Sequence, residues 1–370
     1  MWDVIVPDNV TTLGEYAFAR CDNLISVDAS ATNKLDINTS AFYECPKLNY
    51  FLSPENIANV GNGAFSACVN LTELELHNVI GSIGYGAFNN CGIMSIKIDS
   101  IGGDIQTMAF WNAINLKDVR IGTIAGNIES EAFKCSYSLS NIEIGKGPVK
   151  IGSKAFNSSE NLKSFIAYDG VLEVADNAFS TYRGRWGYMN YIEYLVERKN
   201  LKTVVLPQCV QKIGKEAFVY CTSLHDFSIP QSVSVIGESA FQYCYSMESI
   251  DIPNGVTEIP ANAFHECTSL KDVSFSNGLE TIGEYAFAGC AVGQLKLPLS
   301  LKTINNSAFE GCNSLQELRI PSSIENIGKA AFSGCNNLSS IYTYTVEPTT
   351  ITESTFSTFA SATLYVPATS

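Results

Sequence analysis

Basic residues are scarce in this chain of 370 residues. It contains 23 Lys and Arg against 37 Asp and Glu, which gives a formal net charge of -14, and only three His. An acidic surface repels nucleic acids and anionic membranes, so both are disfavoured as partners. No apolar run reaches the roughly 20 residues needed to span a bilayer, so we expect no direct membrane insertion.

The residue patterns of catalytic and metal centres are also missing. The sequence has no CxxC pair, no Cys/His cluster and no serine nucleophile elbow. His77, His225 and His265 stand at different phases of the repeat described below, so they are not expected to converge on one ion or substrate. Residues 147–154 superficially resemble a phosphate loop, but the Gly-Lys-Ser/Thr order is absent. We therefore expect no enzymatic activity, no cofactor and no metal.

One sequence motif is repeated throughout the chain, and IGEYAFAGC at residues 282–290 is a clear copy of it. Its Phe recurs at Phe18, Phe42, Phe65, Phe88, Phe110, Phe133, Phe156, Phe179, Phe218, Phe241, Phe264, Phe287, Phe309 and Phe332. The steps are 22 to 24 residues except for one of 39, and a degraded copy follows at Phe356. A fixed period of this length is the signature of a solenoid. We predict a single array of about fifteen 23-residue coils over residues 1–370.

Each coil divides into three pieces, as residues 221–244 illustrate. Residues 224–230 alternate apolar and polar side chains before a Pro, which is typical of a half-buried strand. Residues 231–237 form a turn ending in Gly, and residues 238–244 are expected to form one or two helical turns that bury Phe241. Stacked coils of this kind predict an α/β repeat solenoid. Its concave face would be a parallel β-sheet and its other face would carry short helices, because strands pack closer together than helices.

Cysteine occupies one phase of this repeat. Eleven of the twelve follow the Phe by two or three residues: Cys21, Cys45, Cys68, Cys91, Cys135, Cys221, Cys244, Cys267, Cys290, Cys312 and Cys335. Copies without Cys have Ala113, Ser159 or Tyr182 there. A ladder of free thiols filling a small slot is the favoured interpretation, because free Cys behaves as a small buried hydrophobe. Scattered disulfides between stacked coils and a metal site are the alternatives.

The beginning of the chain enters the repeat halfway through. Residues 4–14 correspond to the second half of a coil, and no signal peptide precedes them. A first coil without its first half would expose its core. We therefore expect the natural protein to extend upstream, where a secretion signal would lie.

The consensus L-x-x-I-x-I-P-x-S-V-x-x-I-G-x-x-A-F-x-x-C resembles the BspA-like class of leucine-rich repeat. Gly-Cys at 289–290, 311–312 and 334–335, and Leu-Pro or Ile-Pro at 206–207, 229–230 and 252–253, match it closely. The resemblance covers essentially the whole chain. It implies a secreted or cell-surface protein of host-associated bacteria or parasitic protists that binds other proteins, such as host matrix or surface proteins. The expected function is therefore protein recognition or adhesion, with a structural spacer as the alternative.

The largest irregularity is the 39-residue step, which places an insertion at residues 180–199. Residues 191, 194, 195 and 198 recur at helical spacing, which predicts an amphipathic helix over residues 189–199. Tyr, Trp and Arg dominate interface hot spots. The insertion therefore supplies six candidate binding residues: Tyr182, Arg183, Arg185, Trp186, Tyr188 and Tyr191. The alternative is that these aromatics pack onto the solenoid and cover an irregular coil.

A column of outward residues on the sheet is the second candidate surface. Most of it is polar and of mixed sign, as a solvated face would be: Asp28, Leu52, Glu75, Lys97, Arg120, Glu143, Ile166, Val205, Ser228, Asp251, Ser274, Lys296, Arg319 and Tyr342. Ile166 and Val205 are neighbouring apolar exceptions. We expect the insertion to lie on the rim beside them, and these two residues complete the predicted binding site.

Overall fold

The structure is a computed structural model that describes residues 2–186, 191–196, 198–344, 355–356 and 362–366. It divides into two compact units. Unit 1 is Met1–Val196 with Thr203–Pro207, and unit 2 is Glu197–Lys202 with Gln208–Ser370. The single array over residues 1–370 stays a prediction.

Unit 1 consists of parallel strands contributed by successive coils, together with one antiparallel hairpin. Its strands are β1 (Trp2–Ile5), β2 (Thr12–Leu13), β3 (Leu24–Asp28), β4 (Leu35–Ile37), β5 (Tyr50–Leu52), β6 (Asn56–Val60), β7 (Glu73–Val79), β8 (Ser95–Ile101), β9 (Asp118–Ile124), β10 (Asn141–Lys146), β11 (Lys150–Ile151), β12 (Ser164–Ala167), β13 (Glu173–Val174), β14 (Thr181–Trp186), β15 (Tyr191–Val196) and β16 (Thr203–Val205). One sheet has the order β1-β3-β5, and a nine-stranded sheet has the order β16-β12-β10-β9-β8-β7-β6-β4-β2.

Unit 2 repeats the arrangement with shorter strands. They are β17 (Lys212–Ile213), β18 (Val235–Ile236), β19 (Ser249–Asp251), β20 (Glu258–Ile259), β21 (Asp272–Ser274), β22 (Thr281–Ile282), β23 (Gln294–Lys296), β24 (Thr303–Ile304), β25 (Glu317–Ile320), β26 (Asn326–Ile327), β27 (Ser340–Thr343) and β28 (Thr363–Tyr365). In the coils, a first strand lies in the segment equivalent to residues 224–230, and a second strand lies just before the Ala-Phe segment. The first strands pair in the order β23-β25-β27-β28, and the second strands in the order β20-β22-β24-β26. The parallel solenoid predicted from the period is confirmed.

The repeated Phe residues form the core of each unit. In unit 1 their rings stack from Phe18 to Phe179 with neighbouring centroids 4.9 to 5.5 Å apart. In unit 2 they stack from Phe218 to Phe356 at 5.2 to 5.6 Å. The Ala before each Phe is buried from Ala41 onward, because a larger side chain would meet the neighbouring coil.

The Ala-Phe segment is a chain of tight turns and not a helix. Ala240 donates its N–H to Gly237 O at 3.2 Å, whereas Phe241 donates to Ala263 O of the next coil at 2.9 Å. Ser239, directly before Ala240, has a left-handed backbone, with φ of 55°. A helix directs every N–H back along its own segment, which this alternation prevents. No helix occurs among the described residues, so the predicted short helices are wrong.

The same hydrogen bonds remove the basis of the predicted concave sheet. That prediction required helices to hold one side of the coil farther apart than the strands. Here the turn segments are themselves bonded from coil to coil, and their Phe rings stack at about the spacing of adjacent strands. We therefore call the sheet surface simply the first-strand face.

The insertion is a β-hairpin. β14 pairs with β15 in antiparallel register, from Thr181 opposite Val196 to Trp186 opposite Tyr191. The helix predicted over residues 189–199 is therefore wrong where the structure describes this segment. Tyr, Ile and Val favour strands, and an isolated helix of about eleven residues is marginal in water, whereas β14 supplies hydrogen-bond partners.

All twelve cysteines are free, and most fill the predicted slot. Cys267 Sγ donates to Phe241 O of the preceding coil at 3.2 Å, and Cys45, Cys68, Cys244, Cys290, Cys312 and Cys335 make the equivalent bond. Ser136 and Ser159 donate in the same way, to Phe110 O and Phe133 O. Cys135 does not fill the slot predicted for it, which Ser136 occupies. It lies one residue before the slot, at a left-handed φ of 59°.

Candidate functional site on the first-strand face

Outward side chains of the first strands of unit 1 stand in register from coil to coil. Glu75, Lys97, Arg120 and Glu143 are consecutive partners on β7, β8, β9 and β10. Leu52 on β5, which lies beside β7, extends this column at one end. The parallel register follows from the constant repeat length, because every coil places the same strand position on the same face.

A groove of about 680 Å³ opens on this face over β5, β7, β8 and β9. The side chains that define its chemistry are Tyr50, Leu52, Glu75, His77, Lys97 and Arg120. Tyr50 is 60% exposed and Leu52 is 54% exposed. We call this feature the β5–β9 groove. It combines an exposed apolar end with a charged centre.

Four ionisable groups at the centre form one network. Lys97 Nζ bonds Glu75 Oε1 and lies 3.4 Å from Asp99 Oδ1, and His77 Nδ1 lies 3.1 Å from Asp99 Oδ2. The hydrogen bond from His77, with the Lys97 charge, lowers the pKa of Asp99. The hydrogen bond to Glu75 and the charge of Asp99 raise the pKa of Lys97. These groups are exposed, so the network orients side chains more than it stabilises the fold.

Arg120 also lines the groove, but it makes no ion pair with the groups of this network. No ion pair to Arg120 or Glu143 occurs among the described residues. Gly122 on β9 and Gly145 on β10 carry no side chain, and a Cβ at Gly122 would lie 2.4 Å from Asp99 O, while one at Gly145 would lie 2.5 Å from Gly122 O. A guanidinium without an ion pair can bind a carboxylate in bidentate geometry.

This geometry suits recognition of an extended chain. The groove is shallow and open to solvent, and its polar groups lie along a row. The described part of the chain contains no group of three His, Cys, Asp or Glu placed to hold a metal ion. Nor does any helix there have the length and apolar character needed to cross a membrane.

The residues predicted from the sequence are only partly placed. Ile166 and Val205 are register partners on β12 and β16, with Ile166 half-buried and Val205 41% exposed. On the hairpin lie Tyr182, Arg183, Arg185, Trp186 and Tyr191, whose side chains are outside the described part of the structure. Tyr188 lies outside the described residues altogether. A binding role for these residues stays a prediction.

Sequence reasoning missed the groove. Leu52, Glu75, Lys97 and Arg120 were placed on the outward column but interpreted as an ordinary solvated face. Tyr50 was not singled out at all. The available signal was that Tyr50 and Leu52 flank a core Phe at period 2, which exposes two large apolar side chains on one edge of the face.

Comparisons with known proteins agree with the repeat architecture. The profile of the BspA type leucine-rich repeat region matches residues 1–117, 126–184, 192–315 and 280–368. A leucine-rich repeat protein from Bacteroides ovatus is 22% identical and superposes with a TM-score of 0.58, covering 92% of this chain and 86% of that one. A leucine-rich repeat protein from Eubacterium ventriosum is 20% identical over 95% of this chain and 85% of that one, with a TM-score of 0.44.

A leucine-rich cell surface protein from Faecalibacterium prausnitzii is 24% identical over 78% of this chain and 83% of that one, with a TM-score of 0.34. No curated protein matches the sequence. The profile covers nearly the whole chain. The chain therefore belongs to the BspA type leucine-rich repeat family, whose repeats suggest a protein-interaction or surface module.

Proposed function

We propose that this protein is a non-enzymatic recognition module of a secreted or cell-surface protein, and that the β5–β9 groove binds an extended segment of a protein ligand. The observation that carries the proposal is the conjunction of exposed Tyr50 and Leu52 with the uncommitted Arg120 in one groove. An exposed Tyr beside an available Arg is typical of an interface hot spot, and Leu52 adds exposed apolar surface to it.

The outward column gives this ligand a direction. It runs from Leu52 through the charged residues to Ile166 and Val205, so a segment lying across the strands meets apolar groups at both ends and charges between them. Adhesion to a host or matrix protein is the biological role that the family resemblance supports. The hairpin residues Arg185 and Trp186 would extend the contact area.

The test measures retention of the protein on a panel of immobilised collagen, fibronectin and laminin. Replacing Leu52→Ser together with Arg120→Ala should lower the affinity for any retained protein at least tenfold and leave the melting curve unchanged. The control, Leu299→Ser with Lys271→Ala, likewise removes one Leu and one cation, at exposed positions that do not line the groove. Equal affinity of both variants would overturn the groove as the binding site.

A second variant tests the hairpin separately. Arg185→Ala with Trp186→Ala should abolish capture while the melting temperature stays the same, if the insertion contributes contacts. A sharp drop in the melting temperature would assign the hairpin a structural role. A structural spacer predicts that no matrix protein is retained by any variant.

A further inference from the structure

A second cluster of recognition residues lies on the first-strand face of unit 2. Lys296, Arg319, Tyr342 and Tyr365 are consecutive register partners on β23, β25, β27 and β28. The Arg319 guanidinium lies 4.7 Å from the Tyr342 ring centroid, and the Tyr342 and Tyr365 rings stack at 4.5 Å with an interplanar angle of 9°. We call these four residues the Arg–Tyr stack.

Two further contacts fix the guanidinium in place. Arg319 Nε donates to Glu317 Oε1 at 2.6 Å, and Arg319 Nη1 donates to the Tyr344 hydroxyl at 2.9 Å. These two bonds leave the Nη2 group and one Nη1 hydrogen of Arg319 available as donors, directed away from Glu317 and Tyr344. The Arg319 side chain is still 54% exposed, so it is held in one orientation and open to a ligand. Little side-chain entropy would then be lost on binding.

The rest of the stack also presents donors without partners. No ion pair to Lys296 occurs among the described residues, and no hydrogen bond to the Tyr342 or Tyr365 hydroxyl occurs there. Tyr365 is 45% exposed. Successive residues of the stack are one coil apart, about 4.8 Å. The surface is therefore a row of two cations followed by two hydroxyls.

We propose that the Arg–Tyr stack binds an extended acidic peptide segment of a partner protein. One carboxylate can bridge the Lys296 ammonium and the Arg319 Nη2 group, because the two are adjacent in the row. Backbone carbonyls farther along the segment accept hydrogen bonds from the two Tyr hydroxyls. This site does not depend on the β5–β9 groove, which belongs to unit 1.

The ring geometry favours a peptide over an anionic polysaccharide. Sugar rings stack on open aromatic faces, but both faces of Tyr342 are occupied, one by Arg319 and the other by Tyr365. Apart from the second face of Tyr365, which no ring or cation of the described residues covers, the stack offers a ligand cations and hydroxyl edges. Carboxylates and peptide carbonyls use these groups directly.

The probe is fluorescein-labelled poly-L-glutamate of about 20 residues, an acidic peptide that charge repulsion keeps extended, measured by fluorescence anisotropy at low salt with the full chain. Because the protein carries a net charge of -14, non-specific attraction would not produce binding. Lys296→Gln with Arg319→Gln should weaken binding at least tenfold. Tyr342→Phe with Tyr365→Phe, which keeps the stack and removes the hydroxyls, should weaken it three- to tenfold.

The control is Lys271→Gln with Lys329→Gln, which removes the same charge from exposed positions of unit 2 outside the stack. It should bind the probe as tightly as the unmodified chain. The proposal is overturned if the control and stack variants lose affinity equally, if poly-L-glutamate does not bind, or if only polygalacturonate binds. Failure here would leave the groove unaffected, because the groove variants are tested with different ligands.

Discussion

At the scale of single residues, close backbone contacts between successive coils decide which residue types fit at the repeated positions. Gly61 shows this most directly, because a Cβ there would lie 2.5 Å from Asn38 C and 2.6 Å from Thr39 N of the preceding coil. Its φ is not in the left-handed region, so close approach of two backbones explains the Gly, and not the tight bend expected from the sequence.

Replacing Gly61→Ala should therefore lower the free energy of unfolding by about 1 to 3 kcal/mol, the usual cost of overpacking a site that backbone atoms surround. Gly14 holds the same position relative to Phe18, yet no atom of the described chain lies within 4 Å of its added Cβ. Gly14→Ala is the matched control and should be neutral or slightly stabilising. Urea unfolding of both variants measures the difference, and equal costs would contradict the close-approach explanation.

The cysteine slot shows how far residue reasoning reaches. Its position three residues after Phe, its small size and its interchange with Ser were all visible in the sequence. The hydrogen bond from Sγ or Oγ to the Phe carbonyl oxygen of the preceding coil was not visible there. The sequence does not show which backbone carbonyl lies next to the slot. The same bond explains why Cys135, one residue earlier, is outside the slot while Ser136 fills it.

At the scale of elements, the strands are predictable from the sequence and the conformation of the turn segments is not. Strand positions follow from period-2 alternation, which the parallel register then reproduces in every coil. The turn segment has no such signature. Residues as different as Ser239, Asn262 and Tyr285 adopt a left-handed backbone there with φ of 54° to 57°. Coil-to-coil hydrogen bonds impose that conformation, and single-residue preference does not reveal it.

Asn262 tests this conformation. Its φ is 57°, and its N–H donates to Glu284 O of the next coil at 2.8 Å. Asn262→Val should cost about 1 to 2 kcal/mol, because a β-branched side chain is strained at positive φ. Asn262→Gly should be neutral or stabilising, since Gly adopts this conformation freely.

The control for Asn262 is Gln294→Val on the exposed face of β23, where a β-branched residue suits the strand. It should change the unfolding midpoint in urea by less than Asn262→Val does. A helical turn segment would reverse the result at position 262, with Gly more costly than Val.

The hairpin was missed for a related reason. Residues 191, 194, 195 and 198 fit a helical stripe, but the same stretch also fits a strand once a partner strand is available. Only β14, whose residues lie 5 to 15 positions before their partners, decides between them by pairing with β15. The periodicity of residues 189–199 alone does not show that a partner strand precedes them.

At the scale of the whole molecule, the repeat makes the fold predictable but does not indicate where a ligand binds. Within each unit, successive first strands contribute outward residues at the same strand position, so no single residue is distinguished by its position. The β5–β9 groove and the Arg–Tyr stack arise from which side chains become register partners, such as Arg319 with Tyr342. Aligning coils by their Phe residues gives those partners, but exposure, stacking and ion pairing between them require the structure.

Each stacked coil can add a buried thiol to the core. These thiols should make the free energy of unfolding of the whole protein fall at alkaline pH. Burial raises the pKa of Cys91, Cys221 and Cys335 from 9.0 to about 12. Unfolding exposes these thiols and restores the ordinary value. Their contribution to stability is therefore fully present below pH 9 and is lost as the pH rises from 9 through 12.

One pH unit within this window costs about 1.4 kcal/mol for each such thiol, so at pH 10 the three together should cost about 4 kcal/mol. Replacing Cys91, Cys221 and Cys335 together by Ser should remove that part of the pH dependence, because serine does not ionise there and fits the slot at Ser159. The measurement is the free energy of unfolding in urea at pH 7.5 and pH 10. Cys135→Ser with Cys209→Ser, at two partly exposed thiols, should retain the alkaline loss of the unmodified chain. If the triple variant loses as much stability as the unmodified chain between these pH values, these three thiols do not contribute to the alkaline loss.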